Sequence, residues 1–195
     1  MEESQKLDLS FFNEAEPFFK KFNQQTNLLL QILTEVANDF PQDFLVSIFP
    51  QSKGSKISKG NQLDGLPYQV LDIVRDFNQD TGFNIRLLNW WGKGFFIFIS
   101  IGNKIILSKP EDWVYSHRVY QLSVGESIFD YGKIIHSSFR LTQNNLKSTI
   151  KDSSQIQIWR KLDMEADIND MKQKLSLLVK SILEYHSSFF LNSHI

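Results

Sequence analysis

The side chains with the means to do chemistry are few and scattered. Asp72, Arg75 and Asp76 form a dense charged group. On a helix, Asp72 and Asp76 share one face beside Arg75, and a carboxylate pair is the equipment of metal binding or acid–base work. The simpler reading is a surface ion-pair cluster, since no third ligand is marked. His117 and Arg118 add a titratable group and a cation. With the aspartates they make up a possible site for an anionic or nucleotide-like substrate.

A second set is cationic. Lys53, Lys56 and Lys59 recur every third residue in QSKGSKISKGNQLDG. Such spacing suits electrostatic capture of a phosphate or a nucleic-acid backbone. It equally suits a solvated loop kept soluble by its charge, and nucleic-acid binders carry a broader basic footprint.

The third set is aromatic and the most distinctive. NWWGKGFF, residues 89–96, holds Trp90, Trp91 and Lys93 around two glycines. Side chains alternate along a strand, so Trp90 and Trp91 point to opposite faces. One indole can enter the core while the other faces a groove and stacks on a ligand or partner. The bland alternative is two core tryptophans flanking a tight hairpin.

Motifs with a fixed mechanism do not occur. The four histidines, His117, His136, His186 and His194, lack zinc-ligand spacing. There is no cysteine, which excludes disulfides, thiolate metal sites and a cysteine nucleophile. Gly125-Glu-Ser127 begins like a nucleophile elbow but lacks the closing glycine. The lysine-rich stretch lacks the order of a Walker phosphate loop. Asp170-Met-Lys172 spells a nuclease-like D-x-K, yet it lies in the first turns of a helix, where an acidic residue is favoured by the dipole. No motif requires a metal or cofactor.

These groups must be positioned by a chain of 195 residues, within the range of one domain. We therefore treat 1–195 as a single globular unit. Phe occurs 17 times against five Tyr and four Trp. Phe has no polar handle, so most of this aromatic load belongs in a core. Net charge is −1, with an acidic first 50 residues and a basic stretch over 51–110. The opening MEESQKLDLSFF lacks the basic and apolar regions of a signal peptide. The longest apolar run, Gly94–Ile101, is far below the roughly 20 residues that span a bilayer. A cytoplasmic protein is expected.

Periodicity supplies the elements. Phe18, Phe22, Leu29, Ile32, Leu33, Val36 and Phe40 form one helical stripe, entered near Pro17 and ended near Asp39. Ile168, Met171, Leu175, Leu178, Ile182, Tyr185 and Phe189 form another, with Asp167 as cap. Strands are expected at 43–49, 82–91, 94–101, 104–107 and 155–162. Residues 51–65 read as a loop and 66–77 as a short helix with Pro67 in its first turn. Ser108-Lys-Pro-Glu111 has the spacing of a capping box, opening a helix that includes Trp113 and His117. The fold class is therefore α+β, an antiparallel sheet with the long N-terminal and C-terminal helices packed on one face.

GLPYQVLD with RLLNWWGKGFFIFISIG resembles a segment of short bacterial hypothetical proteins. No activity is attached to that group, so the resemblance implies no catalytic residue and no cofactor. The leading expectation is a non-enzymatic binding or accessory protein. Its site would lie near the tryptophan hairpin and the lysine-rich stretch, and it would take a protein partner or a small anionic ligand. A small enzyme on an anionic substrate and a nucleic-acid-associated protein are the alternatives. Oligomeric state is left open.

Overall fold

Alternating and apolar segments in the middle of the chain assemble into one antiparallel sheet. The computed structural model describes residues 6–106, 110–123 and 127–191. Among these, the strands are β1 (Lys56–Leu63), β2 (Leu66–Asp76), β3 (Phe83–Trp90), β4 (Gly94–Gly102), β5 (Gln121–Leu122), β6 (Phe139–Arg140) and β7 (Gln155–Leu162). Their order across the sheet is β1-β2-β3-β4-β7-β5-β6. The helices are α1 (Leu9–Asn38), α2 (Gln42–Ile48), α3 (Asn103–Ile106), α4 (Pro110–Ser116), α5 (Tyr131–Ser137), α6 (Gln143–Asp152) and α7 (Ile168–Leu191). The protein is α+β, and its two long terminal helices contact each other. No helix among the described residues is long and apolar enough to cross a membrane.

The two faces of the sheet are unequal. One carries Leu71, Ile73, Ile85, Leu87, Ile97, Ile99 and Ile158 against the stripes of α1 and α7, with Leu45 of α2 and Trp113 of α4 in the same cluster. The other carries Val70, Leu88, Trp90, Phe96, Phe98 and Trp159 under Tyr131 and Ile134 of α5. Two-sided cover explains why FFIFISI reads as a continuous apolar run.

The expected strands at 82–91, 94–101 and 155–162 are β3, β4 and β7. Asp167 caps α7, its Oδ1 accepting the amides of Asn169 at 2.8 Å and Asp170 at 3.1 Å. Asp167→Ala should therefore lower stability by about 1 kcal/mol in urea titration, with Asp167→Asn recovering most of it.

Four assignments are corrected. The strand expected at 43–49 is instead helix α2 with Phe49 as its C-cap; Leu45 and Phe49 are buried one turn apart and Ser47 is exposed. Residues 56–63 of the expected loop form strand β1. It is an edge strand with mostly exposed positions, so it has no apolar period to read, and its lysines suit an edge. The helix expected at 66–77 is instead strand β2, Leu66–Asp76. Val70 to Val74 are buried consecutively, as two-sided cover requires, and Pro67 sits at the strand start, where its missing N–H is tolerated. Of the strand expected at 104–107, Lys104–Ile106 belong to helix α3, and Leu107 lies outside the described residues. The Asn103 amide bonds Ser154 O at 2.8 Å and its Nδ2 bonds Ser153 O at 2.8 Å, so β7 takes the place beside β4.

One helix start also moves. α1 begins eight residues before Pro17, capped by Asp8, whose Oδ1 accepts the Ser10 and Phe11 amides. Pro17 lies inside the helix. Of the expected capping box, Ser108 and Lys109 lie outside the described residues. α4 carries Trp113, and His117 follows its last residue.

Candidate functional site

The hairpin between β3 and β4 turns through Trp91, Gly92 and Lys93, with Trp90 paired to Gly94. Gly92 and Gly94 take φ of +77° and +131°, values that side chains with a Cβ rarely adopt. The Lys93 amide closes the turn on Trp90 O at 3.0 Å. This tight turn sends the two indoles apart. Trp90 enters the second face, buried with Val70 and Leu88, and its Nε1 donates to Leu63 O at 3.0 Å. Trp91 lies half-buried beneath α1, its ring 4.9 Å from that of Phe22.

Trp91 Nε1 donates to Gln69 Oε1 at 3.0 Å, and Asn89 Nδ2 donates to the same oxygen at 2.6 Å. Gln69 and Asn89 are both buried. Each indole N–H thus has its acceptor within the chain. The need for an acceptor does not by itself point to a ligand.

A groove of about 250 Å³ opens beside Trp91. α1 supplies Gln25, Leu28 and Leu29, the hairpin supplies Asn89 and Trp91, and the approach to α7 supplies Met164, Glu165, Ile168 and Met171. The approach segment is tied down, because Lys174 Nζ bonds Glu165 Oε1 at 2.6 Å and Asp163 O at 2.8 Å. The chain, compared with known proteins, matches no family model, no curated protein and no solved structure.

The lysines do not converge on the groove. Lys56 pairs with Asp72 and Lys59 with Gln69 across the β1–β2 ladder. Three residues apart on a strand, they project from opposite faces. Lys53 precedes β1, its amide on Val74 O at 2.8 Å. Lys93 is exposed, with its Nζ 5.8 Å from the Trp90 ring centroid. No single cationic patch results.

The alternative polar set is divided by the sheet. Asp72 lies on the α5 face, held by Arg86, whose Nε and Nη2 donate to its two oxygens at 2.7 Å each. Asn84 Nδ2 adds a third bond at 2.9 Å, and Arg86 Nη1 donates to the Tyr131 hydroxyl. Burial alone would lower the Arg86 pKa, but the bonds to Asp72 outweigh it and hold the guanidinium charged. Asp76 accepts the Asn78 amide at 3.1 Å in a local turn. Arg75 Nη1 bonds Lys53 O at 3.3 Å, while Arg118 lies 4.9 Å over the Tyr115 ring. A bulge between Ile73 and Asp76 separates Asp72 from its sequence neighbours, with Val74 and Arg75 at φ of +78° and +60°.

His117 packs on the opposite side, in the cluster of Trp113, Tyr185 and His186. His186 was missed from the sequence, although it continues the spacing of Leu175, Val179 and Ile182 on α7. Trp113 Nε1 donates to His186 Nε2 at 3.2 Å, and His186 Nδ1 bonds Ile182 O at 2.8 Å. Burial pushes the pKa of His117 down to about 4 and that of His186 to about 3, the latter helped by repulsion from His117. Among the described residues, no group of three His, Asp or Glu side chains could hold a metal ion.

Proposed function

We propose that this is a non-enzymatic binding protein, cytoplasmic in setting, whose groove beside Trp91 receives an apolar side chain of a partner polypeptide. The observation that carries the reading is the groove's lining. Leu28, Leu29, Trp91, Ile168 and Met171 make apolar walls, and Met164 adds an adaptable one. Gln25, exposed on α1, offers an amide to a peptide backbone. The one carboxylate, Glu165, is already paired with Lys174.

Size and charge favour a partner over the other occupants. A volume of about 250 Å³ is below the usual range of roughly 300–1,000 Å³ for small-molecule sites, and it suits one or two inserted side chains. An anion would meet Glu165 with no lysine or arginine in the lining. A second cavity of about 300 Å³ is lined by Ser123, Asn145, Thr149, Asp152 and Gln157. It too holds a single carboxylate, so neither cavity pairs a general acid with a base.

Panning a random peptide library displayed on phage tests the reading. Selected peptides should share an apolar anchor and should change the emission of Trp91, a signal removed by Trp91→Phe. Leu28→Arg should fill the groove and weaken binding by roughly tenfold or more, with the melting temperature little changed. Peptides that bind the Leu28→Arg variant as tightly as the parent, or inorganic phosphate or ATP binding where no peptide does, would sink the proposal.

A further inference from the structure

The apolar stripe of α1 does not stop where the sheet stops. Leu29, Ile32, Leu33 and Val36 bury it against the sheet and α7. Two turns further toward the N-terminus, Phe22 reaches the hairpin tip at Trp91. Beyond that point no described residue covers the helix, yet the stripe continues. Phe11, Phe12, Phe18 and Phe19 are each more than half exposed. At 100° per residue, Phe11, Phe12, Ala15, Phe18, Phe19 and Phe22 fall in one band about 120° wide. Phe18 stacks on Phe22 at 6.4 Å and meets Phe19 edge-on at 5.3 Å, so these three rings form a continuous aromatic surface.

We propose that this overhanging part of α1 is a self-association surface, on which a second copy of the chain lays its own α1 antiparallel. Area is the first argument. With about 200 Å² for a large apolar side chain, the four exposed phenylalanines of the band offer roughly 450 Å². That is more than half of the about 800 Å² per partner that specific interfaces bury, and it matches the largest apolar patch of a typical monomer, which is often functional. The band also continues directly into the stripe that already packs α1 within the fold.

Charge is the second argument, and it selects a second copy. The band is flanked on one side by Glu14 and Lys21 and on the other by Glu16 and Lys20. On both flanks the acid precedes the base. Antiparallel helices related by a two-fold axis bring the same flank of each copy together. Crossing near Phe18 then sets Glu14 against Lys21 of the second copy and Glu16 against its Lys20. A parallel pair would oppose Glu to Glu and Lys to Lys. The Lys20–Glu16 ion pair within one helix, 2.7 Å long, is three-quarters exposed at both ends and free to share across such a contact. A lipid surface fits less well. Membrane-binding amphipathic helices carry a basic polar face, whereas residues 6–21 hold Asp8, Glu14 and Glu16 against Lys6, Lys20 and Lys21.

This goes beyond the groove reading and does not depend on it, since the groove's test uses neither Phe11 nor Phe18. Sedimentation equilibrium on the full chain should show a dimer at micromolar concentration. Phe11→Glu with Phe18→Glu should weaken it by roughly 30-fold or more with an unchanged circular dichroism spectrum, both side chains being surface-exposed. Two charge variants, Glu14→Lys with Glu16→Lys and Lys20→Glu with Lys21→Glu, should each be monomeric alone and form a heterodimer when mixed. A parent chain monomeric at about 100 µM, a dimer indifferent to the Phe variants, or charge variants that do not recombine would each overturn the proposal. So would a monomer that instead sediments with phosphatidylcholine–phosphatidylglycerol vesicles.

Discussion

Acidification from pH 6.5 to pH 5 should remove about 3 kcal/mol of folding stability through His117 and His186 alone. Trp113 has only a donor on its indole, so His186 Nε2 must accept, and His186 Nδ1–H donates to Ile182 O. Both ring nitrogens of His186 are thereby committed to the neutral form. His117 Nδ1 bonds Trp113 O at 2.8 Å, and its ring centroid lies 5.1 Å from that of His186, so protonating either ring places a charge beside the other.

Burial depresses both pKa values well below the ordinary 6.5. The sign follows. Below pH 6.5 the unfolded chain takes up two protons that the folded chain refuses, so stability falls as pH falls. The loss steepens toward about 1.4 kcal/mol per pH unit for each histidine and continues until the folded values near 4 and 3 are reached. For a domain of ordinary stability, about 5–15 kcal/mol, this is a large fraction. Urea unfolding at half-unit pH steps measures it. His117→Gln with His186→Gln keeps an acceptor for Trp113 and should flatten the slope between pH 6.5 and 5. An equal slope in parent and variant would assign the acid lability elsewhere.

Asp72→Ala should cost about 3–5 kcal/mol, because it strands a buried guanidinium. The pair is built into the ladder, Asp72 lying opposite Arg86 across β2 and β3. Its fork is bidentate, and the Asn84 amide occupies the same carboxylate. Removing the carboxylate therefore leaves Nε and Nη2 of Arg86 and Nδ2 of Asn84 without acceptors in a mostly closed site. Replacing both charges, Asp72→Leu with Arg86→Met, should return most of the lost stability, since a buried pair recovers little more than its own desolvation. Equilibrium urea titration of the single and double variants tests this. A single variant within 1 kcal/mol of the parent would show that solvent reaches Arg86 and that the pair is not buried in effect. The fully engaged carboxylate is also why Asp72 is a poor candidate for acid–base chemistry.

Where burial is one-sided or the segment long, sequence alone determined the structure. The stripe on α7 has an uninterrupted three–four spacing because one face meets the core along most of its length. The alternation in β3, the apolar run of β4 and the glycine turn between them likewise placed the hairpin, and with it Trp90 and Trp91 on opposite faces. Tertiary structure decided the segments whose local signal was absent or double. β1 is a strand because β2 pairs with it, not because its polar residues favour one. β2 is buried on both faces, which erases the period that distinguishes strand from helix. Seven residues at 42–48 are too few for periodicity to outweigh the β-branched Val46 and Ile48. The site followed the same division. That the two indoles would point to opposite faces was legible in NWWG, while whether one of them would stay open was not. Which one became Trp91's place in the groove was set by α1 crossing the hairpin tip, a contact between residues far apart in the chain. The same long-range geometry dispersed Lys53, Lys56 and Lys59 over two faces and put His117 against His186, for spacing along a chain does not specify which side of a sheet a residue reaches.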